Sequence, residues 1–259
     1  QEGELSRFYY KESIAGFCNE GASNILGRIV RDYSFDLTPQ QKEAWISQTE
    51  LLKDALIGIT GTIYFEFSIP RMGKRVDAVI LIGPVIFIIE FKVGEKTFHI
   101  QDLEQVMDYS LDITNFHEGS HAQYVVPILV ATEAPDAKVS HGLTLARGML
   151  FEPLKSNARG LSGAMKGVLT ALKGTGLDPA DWEQSGYKPT PTIIEATLAL
   201  YGGHSVSEIS RNDAGDNLTK TSASVSEVIR ATRQGKEKAV CFVTGVPGAG
   251  KTLVGLDIA

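Results

Sequence analysis

The chain has 259 residues, 43% of them hydrophobic and 22% charged, with a formal net charge of −6. That is the balance of a globular protein with ample material for a core, and its acidity excludes a passive binder that holds nucleic acid by blanket positive charge. No run approaches the roughly 18 consecutive apolar residues of a membrane helix, no basic-then-apolar leader opens the chain, and Cys18 and Cys241 lie far apart without CxxC spacing, which together point to free thiols in a cytoplasmic, reducing setting.

The first fifty-odd residues read as helical. Phe17, Ile25, Leu26 and Ile29 recur near helical spacing. Thr38-Pro39 then marks a second helix start, with Thr38 as N-cap and Pro39 in the first turn. Trp45, Ile46, Leu51, Leu52, Ala55 and Leu56 give that helix a broad apolar face, and Gly58 and Gly61 end it. From Thr62 the period becomes that of strands: 62–68, 75–82 and 85–93, separated by turn residues at Pro70–Gly73 and at Gly83-Pro84. The third run, Val85-Ile-Phe-Ile-Ile, is apolar without alternation, as a central strand covered on both faces would be. A helix over 102–113, a buried strand over 124–131, a short strand at 149–151 and a helix over 161–172 follow. Residues 178–187 read as loop, 192–201 as helix, 205–223 as linker, 224–234 as helix and 239–244 as strand. This order predicts an α/β core with a mixed central sheet flanked by helices.

The hairpin 75–93 carries the chemistry. With its turn at Gly83-Pro84, facing positions have a constant sum, so Asp77 stands across from Glu90. Two like charges facing each other destabilise a sheet unless a cation lies between them. Lys92 projects from the same face of the strand as Glu90, two residues on. Two carboxylates and an ammonium at the end of an apolar hairpin are what a hydrolytic Mg²⁺ (or Mn²⁺) site needs. Asp77 and Glu90 supply hard oxygen ligands, and the Phe91 backbone carbonyl is placed to add another. The metal activates a water, and Lys92 orients it and stabilises developing charge. Arg71, Lys74, Arg75 and Lys96 form a local basic rim about these residues. His117 and His121 are four apart, but Gly119 intervenes and the segment reads as loop, not as a metal site. Trp45 and Trp182 read as core or interface residues.

Asp77 in the second strand and Glu90-Phe91-Lys92 in the third resemble the PD-(D/E)xK nuclease superfamily, whose restriction-endonuclease-like core has this element order. Gln105-Val-Met-Asp-Tyr109 on the following helix is similar to the Q-x-x-x-Y element of its RecB-like branch. The resemblance implies roles for Gln105 and Tyr109 in contacting substrate or steadying the site. It also implies an acidic residue on the helix before the meander that reaches the metal; Glu50 matches by position, and Glu66 on the first strand is its rival. Val76 stands where the family's name puts proline.

Gly245-Val-Pro-Gly248-Ala-Gly250-Lys251-Thr252 fits G-x-x-x-x-G-K-[ST] between an apolar strand and an apolar helix. Backbone N–H groups of such a loop cradle phosphates, Lys251 meets the outer ones and Thr252 ligates Mg²⁺. The phrase from Cys241 to Leu256 resembles the Walker A region of Schlafen-like ATPases related to superfamily 1 helicases. Seven residues follow Thr252, too few for a Walker B acid, so ATP hydrolysis is expected only of a longer protein. The expected organisation is a nuclease domain over 1–204, a linker over 205–223 and the beginning of a P-loop domain over 224–259. The expected activity is metal-dependent cleavage of nucleic acid, DNA before RNA, with ATP serving the complete motor. Phage defence or DNA repair would suit such a fusion. An RNA-cleaving enzyme of the same fold and an inert binding domain are the alternatives.

Overall fold

The computed structural model describes residues 7–32, 38–69, 74–140, 142–187, 215–244 and 251–258. The chain divides into two compact units, 1–186 and 187–259. The helix expected over 192–201 lies outside the described residues.

The first unit is an α/β protein built on a mixed, open eight-stranded sheet. It begins with β1 (Tyr10–Ser13), α1 (Ile14–Asn19), α2 (Ala22–Asp32) and α3 (Pro39–Leu56). An antiparallel meander follows, β2 (Thr62–Ile69), β3 (Lys74–Ile82) and β4 (Val85–Lys92), and then α4 (Ile100–Phe116) and β5 (Tyr124–Ala131). Short strands β6 (Leu145–Arg147), β7 (Leu150–Phe151) and β8 (Leu154–Ser156) precede α5 (Leu161–Ala171) and α6 (Pro179–Gln184). The sheet order is β1-β2-β3-β4-β5-β7-β6, with β8 also paired to β5. β5 runs parallel to β4, and α4 makes the crossover such a pair requires. β4 is central and fully apolar from Val85 to Ile89, which is why its sequence shows no alternation.

Helices cover both faces. On one, α1, α2, α3 and α5 bring Ile14, Phe17, Ile29, Leu52, Leu56 and Met165 against Ile63, Phe65, Ile80 and Phe87. On the other, Val106, Tyr109 and Ile113 of α4 and Trp182 of α6 meet Tyr64, Val79, Leu81 and Ile88. Trp45 and Trp182 are core residues, as expected. α3 starts with a reciprocal cap: the Gln41 N–H donates to Thr38 Oγ1, and the Thr38 N–H donates to Gln41 Oε1.

Several short elements depart from the sequence reading. Residues 10–13 were expected in a helix; they form edge strand β1, antiparallel to β2 with Tyr10 opposite Phe65. The Ser13 side chain then accepts the Gly16 N–H and starts α1. The segment 178–187, expected as loop, contains α6, capped by Asp178 on the N–H groups of Ala180 and Asp181.

Where β1 leaves for α1, the chain passes close to β2. The Ile14 N–H donates to the Gly61 carbonyl, and a Cβ on Gly61 would sit 2.2 Å from the Leu81 carbonyl oxygen. Backbone cannot yield as a flexible side chain would, so Gly61→Ala should destabilise by about 1–3 kcal/mol. Urea denaturation checks this through a fall in midpoint at unchanged slope.

The second unit, within its described residues, contains α7 (Gly215–Gly235) and α8 (Lys251–Ile258). They meet through a hydrogen bond from Ser222 Oγ to Asp257 Oδ2. α7 takes in residues 215–223, which were expected to be linker.

Candidate active site

The site lies at the end of the meander, where the side-chain alternation of two strands inverts. Along β2, Phe65 enters the core on the α3 side, yet Phe67 enters the core on the α4 side. Strict alternation would keep them together. The break falls at Glu66, which has a φ of +53°. β3 does the same between Ala78 and Val76, and the break there is Asp77. The flanking pairs Phe65–Ala78 and Phe67–Val76 put Glu66 opposite Asp77 in register. Left-handed backbone costs a non-glycine residue roughly 1–2 kcal/mol and persists where surroundings fix it. Here Trp45 Nε1 donates to Glu66 Oε1 at 2.8 Å, and Arg75 Nη1 donates to the Glu66 carbonyl.

Between β3 and β4 the paired residues sum to 167, from Ile82–Val85 to Ala78–Ile89. The same register sets Asp77 opposite Glu90. At that point the Phe91 N–H donates to Asp77 Oδ2 at 2.7 Å, so a side chain takes over from the backbone ladder. N–H and C=O of one strand residue point to the same side, so the Phe91 carbonyl is directed toward Asp77. Glu66, Asp77 and Glu90 thus form a row of carboxylates across three adjacent strands.

The expected companions assemble around Glu90, which is 5% exposed. Glu90 Oε1 accepts from Lys92 Nζ at 3.2 Å and from Gln105 Nε2 at 2.9 Å. Lys92 Nζ also donates to Gln105 Oε1 at 3.1 Å and lies 3.4 Å from Asp102 Oδ1. Gln105 Nε2 donates to the Tyr109 hydroxyl at 2.8 Å. Gln105 and Tyr109 share one face of α4 because they are four residues apart. Glu90 Oε2 is buried and has no hydrogen-bond partner.

From the opposite layer, Gln48 of α3 reaches Asp77, with Nε2 3.5 Å from Asp77 Oδ2. Gln48 was not singled out from the sequence, though a signal was there: a polar residue interrupts the apolar stripe Trp45, Leu52, Leu56. Glu50 is not part of the cluster. It is exposed on α3, two positions and therefore about 200° around the helix from Gln48, while Glu66 lies in the carboxylate row. A cleft of about 660 Å³ opens here, lined by Ala44, Ser47, Gln48, Phe91, Lys92 and Val93 among others.

Burial raises the proton affinity of Asp77 first, and the negative charge of Glu66 adds to it. Glu90 is raised by burial and then by Asp77. Burial alone would lower Lys92, but the neighbouring Glu90 and Asp102 carboxylates raise it, so it stays cationic. Both site carboxyls thus bind protons more tightly folded than unfolded, and their contribution to stability is full below the ordinary carboxylate range, about pH 4, and is lost as pH rises through the raised values. Without divalent cations, the melting temperature should therefore fall between pH 5 and pH 8 by more in wild type than in Glu90→Gln. Equal falls would show that Glu90 holds no elevated proton affinity.

The basic rim is thinner than the sequence suggested. The Arg75 guanidinium stacks 3.7 Å over the Tyr9 ring besides holding Glu66; Lys96 is an exposed partner of Glu133, Lys74 is exposed, and Arg71 lies outside the described residues. Among the described residues, no three His, Cys, Asp or Glu side chains form a ready-made metal cage. His117 is buried, accepting or donating with Ser120 Oγ and Ser185 Oγ, and burial lowers it to about 4; it clasps α6 to the end of α4.

In the second unit Lys251 and Thr252 open α8. Gly245, Gly248 and Gly250 lie outside the described residues. Residues 239–244, expected as a strand, are not one; Val240 and Phe242 are 80% and 84% exposed. A strand exists only as part of a sheet, and this unit offers no other strand among its described residues. No helix of the described residues is long and apolar enough to cross a membrane. Compared with known protein families, with curated proteins and with solved structures, the chain finds no match in any of the three.

Proposed function

We propose that the first unit is a metal-dependent phosphodiesterase of the PD-(D/E)xK type acting on nucleic acid, DNA in the first instance. The observation that carries this reading is the meeting of Asp77, Glu90 and Lys92 with Gln105 and Tyr109 at the sheet's end, beside an open cleft. A structural sheet has no use for facing carboxylates whose ionised forms burial penalises.

The donor set fits a hard divalent cation. Every candidate ligand is an oxygen, and Glu90 Oε2 is a buried acceptor left without a partner. Magnesium uses one or two carboxylates and keeps its remaining places for water and substrate phosphate, so Asp77 and Glu90 suffice for it. Asp77, Glu90 and the Phe91 carbonyl would hold the ion. When bound, such a cation lowers the pKa of a water and neutralises charge on the phosphoryl group under attack.

The protein's own groups do the rest. Lys92, kept charged by Glu90 and Asp102, would turn to the attacking water and the oxygens gaining charge one of the three N–H groups that Glu90, Gln105 and Asp102 share in the substrate-free site. Gln105 fixes both Lys92 and Glu90, and Tyr109 fixes Gln105. An overall charge of −6 means that substrate is held locally and not by a field over the whole surface. The P-loop sequence supports a nucleotide-binding role for the second unit, joined to the nuclease in one chain.

Incubation of the purified chain with linear, circular and single-stranded DNA and with RNA, in Mg²⁺, Mn²⁺ or EDTA, tests the reading. Cleavage of DNA that EDTA stops is expected. Cleavage of RNA alone would move the substrate, and tight binding without cleavage of any of the four would replace the enzyme by a binding domain.

A further inference from the structure

A chain with a net charge of −6 must grip a polyanion at particular cations. Those of the rim near Asp77 are engaged: Lys96 faces Glu133, and Arg75 holds Glu66 and stacks on Tyr9. The parallel strands lead to the other side of the site. Glu90 on β4 pairs with Leu129 on β5, and Leu129 pairs with Lys155 on β8. Paired residues of neighbouring strands share a face of the sheet. Leu129 lies in the core on the α4 side, where Glu90 meets Gln105. Lys155 therefore projects from the same face as Glu90, two strands away, or about 10 Å at the usual strand spacing.

Arg159 is tied to the same end of the sheet through backbone hydrogen bonds. The Thr132 N–H donates to the Lys92 carbonyl at 3.2 Å, and the Ala158 N–H donates to the Thr132 carbonyl at 3.4 Å. Arg159 is the next residue and is exposed. Among the described residues, the side chains of Lys155 and Arg159 have no hydrogen-bond or ion-pair partner. The neighbouring acids are engaged, Glu133 by Lys96 and Asp136 by Asn157. A lysine on an edge strand often serves to keep other strands from pairing there. That need is absent at Lys155, because its N–H donates to Ser140 Oγ at 2.9 Å and its carbonyl accepts the Ser140 N–H at 2.8 Å.

We propose that Lys155 and Arg159 grip the phosphate backbone of the substrate on the β8 side of the site. This rests on the proposed nuclease reading. At a rise of 3.4 Å per nucleotide along one strand, about 10 Å sets Lys155 about three nucleotides from the bond under attack. Contacts of this kind fix the position of the duplex and carry no sequence information. Each cation that neutralises a phosphate releases condensed counterions, so its part in binding is read from salt dependence.

The test is anisotropy titration of a labelled DNA duplex with the full chain, in EDTA so that the strands stay intact, at KCl from about 50 to 200 mM. Wild type is compared with Lys155→Gln, Arg159→Gln and Lys173→Gln, each verified by its melt, and cleavage by wild type in Mn²⁺ is followed in parallel. Lys173 is the control, since the adjacent Gly174 packs on Pro84 at the opposite end of the sheet. Lys155→Gln and Arg159→Gln should each make the slope of log affinity against log salt shallower by about 0.9. Both should bind several-fold more weakly at the lowest salt, and Lys173→Gln should match wild type. Wild-type slopes in both site variants, with cleavage by wild type intact, would overturn this grip and leave the nuclease standing. The expected slopes without cleavage in Mn²⁺ would overturn the nuclease and keep the surface. Wild type that neither binds nor cleaves would overturn both.

Discussion

Asp77→Asn should abolish metal-dependent cleavage and, in the same protein, raise the melting temperature in EDTA. The two effects share one cause. Asp77 accepts the Phe91 N–H at 2.7 Å, and asparagine can still accept that bond through its side-chain oxygen. What disappears is a negative charge that burial and Glu66 both oppose and that itself opposes Glu90. Like charges across adjacent strands cost up to about 1 kcal/mol, which corresponds to roughly 2–4 °C in a protein of this size. The catalytic loss is far larger. A bound cation supplies several kcal/mol of transition-state stabilisation, so cleavage should fall by about a thousandfold or more at 1.36 kcal/mol per decade. Single-turnover cleavage and a thermal melt on one preparation check both halves. A variant that loses stability together with activity would mark Asp77 as structural.

Lys92→Met should lower cleavage by about 10²–10³-fold at saturating metal, the range for removing one donor aimed at developing charge. Methionine keeps much of the side-chain packing while removing the ammonium. In the folded chain Lys92 Nζ contacts Glu90, Gln105 and Asp102. Its loss leaves Glu90 Oε1 with Gln105 as its remaining donor and raises the proton affinity of Glu90 further. Metal binding should therefore weaken at pH 6 and recover by pH 8, whereas the rate should stay low at both. The rate at saturating Mn²⁺, measured at the two pH values, distinguishes these. Full recovery of the rate at high metal would mean that Lys92 serves only to hold Glu90.

The register of the Asp77–Glu90 hairpin was legible because one turn, Gly83-Pro84, fixes which residues face each other, and the pairs 78–89 to 82–85 follow that rule. Gln105 and Tyr109 were legible for a similar reason: helical spacing is local. The inversion at Glu66 was not. A positive φ at a non-glycine residue depends on Trp45 and Arg75 arriving from elsewhere, and no local pattern encodes that. Edge strand β1 was missed because its four residues, Tyr-Lys-Glu-Ser, owe their conformation to pairing with β2 some fifty residues later. The helix α6 could have been read: Asp178-Pro179 repeats the cap-then-proline signature that located α3 at Thr38-Pro39. By position alone Glu50 is an acid on the right helix. The structure shows why charge alone misleads, since the residue of α3 that reaches Asp77 is the one in the buried stripe, Gln48, and Glu50 faces solvent.

The central claim is that Asp77 and Glu90 hold a cation with which this chain cuts nucleic acid. The most direct measurement follows cleavage of end-labelled double-stranded DNA by wild type in Mn²⁺ and in EDTA, beside Glu90→Gln whose fold is verified by its melt. The account predicts cleavage in Mn²⁺, none in EDTA and none by the variant. Cleavage that survives EDTA, or that Glu90→Gln retains, would contradict it.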